Sequence, residues 1–73
     1  MNDKKINKFD SIFGELRKEK GMTRNELADK LNVSVRLIGY WERGERECSL
    51  DTLIKICDLF GVSADYLLGR SDY

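Results

Sequence analysis

The stretch TRNELADKLNVSVRLIGYWERG, from Thr23 to Gly44, decides how this chain folds. Thr23 and Glu26 stand in the spacing in which a hydroxyl accepts from the amide three residues on while the carboxylate reaches back, so a helix starts at Arg24. Leu27, Ala28 and Leu31 share one face of that helix. Asn32 ends it, because a short amide side chain tolerates the left-handed backbone that a tight turn needs. Ser34 then caps a further helix, which runs to Arg43 and is ended by Gly44. Two short helices therefore meet across Asn32-Val33, with the small side chain of Ala28 where they must pack closely.

The same signals organise the rest of the chain. Phe9, Ile12, Phe13 and Leu16 recur at i, i+3, i+4 and i+7, which predicts an amphipathic helix over residues 8–20, ended by Gly21. After the loop Glu45-Arg46-Glu47-Cys48, Ser49 caps a helix that runs through Phe60 and is ended by Gly61. Leu50, Leu53, Ile54, Cys57 and Phe60 are expected on its core side. Ser63 caps a last helix, Ala64 to Leu68, ended by Gly69. No segment alternates for long enough to form a sheet, and the chain has no proline. The expected fold is an all-α bundle of five helices, one domain over residues 8–70, with a disordered polar arm at 1–7 and a tail at 71–73.

Composition narrows the function. Seventy-three residues, 41% of them apolar, suffice for one small core. No apolar run is long enough to span a bilayer, and the first seven residues lack the apolar stretch of a secretory signal, so the expected location is cytoplasmic. There is no histidine, and the spacing of Cys48 and Cys57 matches no zinc pattern or disulfide framework. No metal, cofactor or small-molecule ligand is expected. Cys57 reads as a small core residue and Cys48 as an exposed free thiol. With no histidine base and no cysteine–histidine pair, the chain is not expected to be an enzyme. The net charge is zero, but residues 1–46 hold eleven Lys/Arg against eight Asp/Glu, and residues 47–73 hold two against five. A basic front and an acidic back are hidden in the neutral total.

The helix from Ser34 to Arg43 carries the functional signal. At about 100° per residue, Leu37, Ile38 and Trp41 form one apolar stripe, and Val35, Arg36, Gly39, Tyr40 and Arg43 fall on the other side. An arginine fork can grip guanine, a tyrosine hydroxyl can donate or accept, and a valine can pack on a thymine methyl. No acid interrupts this face before Glu42, which lies toward its flank, and a carboxylate inside a groove would meet phosphate repulsion. Two helices joined by a short turn, the second anchored by Ile38 and Trp41, are the arrangement that presents a helix edge to the major groove. Arg24, between the donors Thr23 and Asn25, opens the first of the two, where free amides and the helix dipole favour a phosphate.

Residues 9–69 resemble the Cro/CI-type helix-turn-helix proteins, the xenobiotic-response-element family of bacterial and phage regulators. The resemblance rests on Leu16-Arg17-Lys18-Glu19-Lys20-Gly21-Met22-Thr23, Glu26-Leu27-Ala28-Asp29-Lys30-Leu31-Asn32-Val33-Ser34, Trp41-Glu42-Arg43-Gly44, Leu50-Asp51-Thr52-Leu53 and Asp65-Tyr66-Leu67-Leu68-Gly69. It implies a lambda-repressor-like five-helix domain that binds a two-fold double-stranded operator as a homodimer and regulates transcription, as a repressor. It implies base contacts by Val35, Arg36 and Tyr40, and backbone contacts around Thr23, Arg24, Ser34 and Arg43, to which Asn25 and the loop cation Arg46 are added as candidates. It also implies an ion pair between Arg17 and Glu42 that braces the recognition helix. Three positions depart from the family pattern: Arg24 stands where Gln is common, Asn32 replaces the usual turn glycine, and Cys48 replaces a frequent proline. The alternative function is a protein–protein adaptor of the same fold. Ile56, Leu59, Tyr66, Leu67 and Leu68 form a surplus of apolar residues that either completes the monomer core or provides a dimer patch.

Overall fold

A computed structural model describes residues 6–72. Five helices follow one another among these residues, with no strand: α1 (Phe9–Glu19), α2 (Arg24–Leu31), α3 (Val35–Arg43), α4 (Leu50–Phe60) and α5 (Ala64–Leu67). Most of the expected 1–7 arm lies outside the described residues, as does Tyr73 of the tail.

The capping chemistry read from the sequence sets the boundaries. Thr23 Oγ1 accepts from the Glu26 amide at 3.0 Å, and Glu26 Oε1 accepts from the Thr23 amide at 2.8 Å. Ser34, Ser49 and Ser63 cap α3, α4 and α5 by accepting from the Leu37, Thr52 and Tyr66 amides at 3.2, 3.1 and 3.0 Å. Lys8, at the start of α1, caps nothing, and the Asn7 side chain accepts from the Phe9 amide at 3.1 Å instead. Asn32 adopts φ 59° and ψ 46°, and the Asn32 and Val33 amides close the end of α2 on the carbonyls of Asp29 and Ala28.

One apolar core joins the helices. Phe13, Leu27, Ile38, Ile56 and Leu67 are fully buried at its centre, one from each helix. Phe13 stacks on Phe9 at 5.2 Å and meets Trp41 edge-on at 6.1 Å, which fixes α1 against α3. Ala28 is buried at the turn between α2 and α3, where a larger side chain would push the helices apart. The first and last helices meet as well: the Lys8 amide donates to the Leu68 carbonyl at 3.0 Å. Gly69 beside them has φ +81°, and a Cβ there would lie 2.9 Å from Lys8 Cβ, so the closure needs glycine for both backbone and space.

Helix α4 is rotated from the expected phase. Leu50 and Ile54, expected in the core, are 77% and 58% exposed, whereas Ile56 is fully buried. The inward face is Leu53, Ile56, Cys57 and Phe60. Apolar residues occur on every side of this helix, so two stripes of i, i+3, i+4 spacing were available, and the one that reaches Phe60 and α5 packs. Ile56 and Leu67 consequently belong to the core and not to a surface patch, Tyr66 and Leu68 pack against it, and Leu59 is partly exposed. Cys48, expected to be exposed, is half-buried against the core, and burial pushes its thiol pKa up; Cys57 also packs there. The end helices are slightly shorter than expected, α1 by one residue at each end and α5 by Leu68, which serves as its C-cap.

Candidate nucleic-acid interface

Helix α3 carries the predicted side chains in two groups. Leu37, Ile38 and Trp41 pack inward, while Val35 and Arg36 are exposed and Tyr40 is half-buried. Arg36 forms no ion pair with any described residue. Gly39, on the side of α3 away from the apolar stripe, is nevertheless buried, because Arg43 leans back over it: a Cβ on Gly39 would lie 3.0 Å from Arg43 Nη1. Side chains on a helix slope toward its N-terminus, so a long residue covers the position four before it.

On the inner side of the C-terminal end of α3, Glu42 gathers three helices. Arg17 of α1 donates from Nε to Glu42 Oε2 at 2.6 Å and from Nη2 to Oε1 at 3.5 Å. The same guanidinium donates from Nη1 to the Met22 carbonyl at 2.9 Å, which secures the turn into α2. Arg24 of α2 donates from Nε to Glu42 Oε1 at 3.0 Å. The Glu42 side chain is only 7% exposed, and Arg24 remains 52% exposed. Burial alone would raise the Glu42 pKa, but hydrogen bonds and charge from Arg17 and Arg24 outweigh it, so the carboxyl lies below the ordinary glutamate range.

The exposed side of the same end of α3 has a second cluster. Arg43 donates to Glu45 from Nε at 3.1 Å and from Nη2 at 3.2 Å. The Arg43 and Arg46 guanidiniums lie 5.5 and 4.9 Å from the centroid of the Tyr40 ring. Arg46, expected as the loop cation and a candidate backbone contact, is thus stacked on a predicted base-reading residue. Thr23, Arg24 and Asn25 are exposed at the start of α2, and Ser34 is exposed where it caps α3.

Sequence reasoning missed the contacts of Arg24 with Glu42, of Arg43 with Glu45 and of Arg46 with Tyr40. The first joins residues 18 apart and leaves no local periodicity to read. The others depend on how the chain bends after Gly44, whose φ of 73° ends α3. Among the described residues, no group of three or more His, Cys, Asp or Glu side chains is placed to hold a metal ion. No helix among them is long and apolar enough to cross a membrane.

Residues 14–67 match the model of a family described as helix-turn-helix. The chain belongs to the helix-turn-helix family. Its Cro/CI-type character agrees with the motifs that first suggested it, and its all-α fold is that of the lambda-repressor-like class. This helix-turn-helix chain is 41% identical over 58 residues to the HTH-type transcriptional regulator ImmR of Bacillus subtilis, covering 80% of this chain and 46% of that protein. It spans about half the length of the first curated relatives it matches. A transcriptional regulator from Listeria innocua superposes with a TM-score of 0.84 at 31% identity, over 89% of this chain and 61% of that one. SinR, described as the master regulator for biofilm formation and crystallised in complex with DNA, superposes with a TM-score of 0.75 at 31% identity, over 84% of this chain and 98% of that one.

Proposed function

We propose that this chain binds duplex DNA in a sequence-specific manner with α3 in the major groove, and that it regulates transcription in the cytoplasm as a repressor. The observation that carries this reading is the outer side of α3, where exposed Val35 and unpaired Arg36 stand beside Tyr40 on a helix anchored through Ile38 and Trp41. Val35, Arg36 and Tyr40 read bases. Thr23, Arg24, Asn25, Ser34, Arg43 and Arg46 contact the backbone, and Arg17 with Glu42 braces the helix. The relatives named as transcriptional regulators, and SinR bound to DNA, support the same reading. No catalytic step belongs to it.

A second copy of the chain is proposed to complete the binding unit. Leu50 and Ile54 lie one turn apart on the exposed side of α4, and Leu50 borders a groove lined by Phe9, Cys48, Leu53 and Leu68. Pairing there would bury these side chains and let two α3 helices meet half-sites about 34 Å apart on a two-fold operator. Sedimentation of the wild type and of Leu50→Glu is expected to show a dimer that the charge disrupts.

Selection of bound sites from a random duplex library tests the function directly. An enriched two-fold motif is expected, and Arg36→Ala should cost about 1–3 kcal/mol at one base position while relaxing its preference. No enrichment, together with binding that does not respond to salt, would instead favour the adaptor role.

A further inference from the structure

We propose that Glu42 is a positioning residue for Arg24, fixing its guanidinium so that both Nη groups are offered as a preset donor pair to one phosphodiester beside the groove that α3 enters. This rests on the DNA-binding reading above. The anchor is firm: the Glu42 carboxylate is 7% exposed and is gripped from the other side by Arg17 at 2.6 Å, so it cannot follow a moving partner. Arg24 spends its Nε on Glu42 Oε1 at 3.0 Å, and neither of its Nη groups has a partner among the described residues. The guanidinium is planar, so pinning Nε sets the direction of the opposite edge.

An arginine loose in solvent loses side-chain freedom whenever it grips an anion. Arg24 has already lost much of that freedom, although its side chain is still 52% exposed. The group carries two cations and one carboxylate, so a positive charge remains for a phosphate. It stands at the first turn of α2, where the free amides add to the attraction. Glu42 belongs to α3, so a phosphate held by Arg24 is tied through one carboxylate to the helix that faces the bases. A lysine at position 24 keeps the charge and has three N–H donors, but they sit on one freely turning Nζ, so a contact with Glu42 does not aim a second, paired edge at the phosphate.

The test is a binding series on one selected duplex with wild type, Arg24→Lys, Arg24→Ala, Glu42→Gln and the Arg24→Ala/Glu42→Gln pair, each first confirmed to be folded by its melting curve. Arg24→Ala is expected to weaken binding roughly tenfold and to flatten the log–log salt slope by about 0.9, the loss of one phosphate contact. In the Glu42→Gln background the same change is expected to cost about threefold or less. Arg24→Lys, an exposed substitution that leaves the core untouched, should lose most of the tenfold advantage without a change in melting. Equal Arg24→Ala penalties in both backgrounds, or wild-type affinity in Arg24→Lys, would overturn the positioning role while leaving DNA binding in place. Absence of duplex binding by the wild type would overturn the functional reading and this inference together.

Discussion

Two carboxylates near the end of α3 hold arginines, and their surroundings make them different devices. Glu42 is shielded, shared by Arg17 and Arg24, and joined to three helices. Glu45 is 52% exposed and forks a single arginine, Arg43, that is itself 53% exposed. The two contacts of the Glu45 fork, at 3.1 and 3.2 Å, are at ordinary hydrogen-bond distance, so geometry alone does not separate the sites. Solvent does. Water competes with an exposed pair and salt screens it, whereas a shielded carboxylate that loses its partners has nothing to replace them. Glu42 therefore supports the fold, and Glu45 is a local companion held only by an exposed pair.

The largest effect expected from breaking this contrast is on Glu42. Glu42→Ala leaves Arg17 without its carboxylate and should cost about 3 kcal/mol, read as a fall in melting temperature of roughly 10–20 °C. A melting temperature unchanged from wild type, with DNA affinity sharply reduced, would show that Glu42 acts on DNA and not on the fold.

Acid should probe the same site with a smaller effect. The guanidiniums of Arg17 and Arg24 hold the Glu42 pKa below the ordinary glutamate value in the folded protein, so the stability it contributes is fully present above that ordinary value and is lost as pH falls through the lower folded-state pKa. Denaturation midpoints of wild type and Glu42→Gln are expected to differ at pH 6 and to converge toward pH 3. A constant gap across that range would mean that the carboxylate charge contributes nothing.

The smallest expected effect belongs to Glu45. Glu45→Gln should change stability by less than about 0.5 kcal/mol, as usual for an exposed pair. It should tighten binding to nonspecific duplex by a few-fold, because Arg43 no longer has a competing anion. Glu47→Gln removes the same charge from a neighbouring exposed residue that forms no ion pair among those described. It is therefore the comparison that separates release of Arg43 from a general gain of positive charge.

The two sites also mark the boundary of what could be read in the sequence. The turn at Asn32 and the caps at Thr23, Ser34, Ser49 and Ser63 were legible because each is settled by residues two to four apart. The meeting of Arg17 with Glu42, 25 residues apart, was expected only through the family resemblance. The contact of Arg24 with the same carboxylate was not expected at all. It follows from the angle between α2 and α3, to which no local spacing is sensitive. The misphased α4 has a different cause: with Leu50, Leu53, Ile54, Ile56, Cys57, Leu59 and Phe60 spread around the helix, periodicity has no single maximum, and only packing against the other helices selects the buried side. Cys48 was misplaced for a third reason. Its sequence neighbours are polar, but Phe9, Leu53 and Leu68 come to it from elsewhere in the chain.

The hydrogen bond from the Lys8 amide to the Leu68 carbonyl brings the two ends of the helical array side by side. Topologically the five helices form a nearly closed ring, cut at one corner. Such a unit can be spliced into a surface loop of a host protein as readily as fused to its end, because it enters and leaves the host chain at almost the same point. The glycine at that corner does more than stop α5: by admitting Lys8 within contact distance, Gly69 lets the two ends of the array meet.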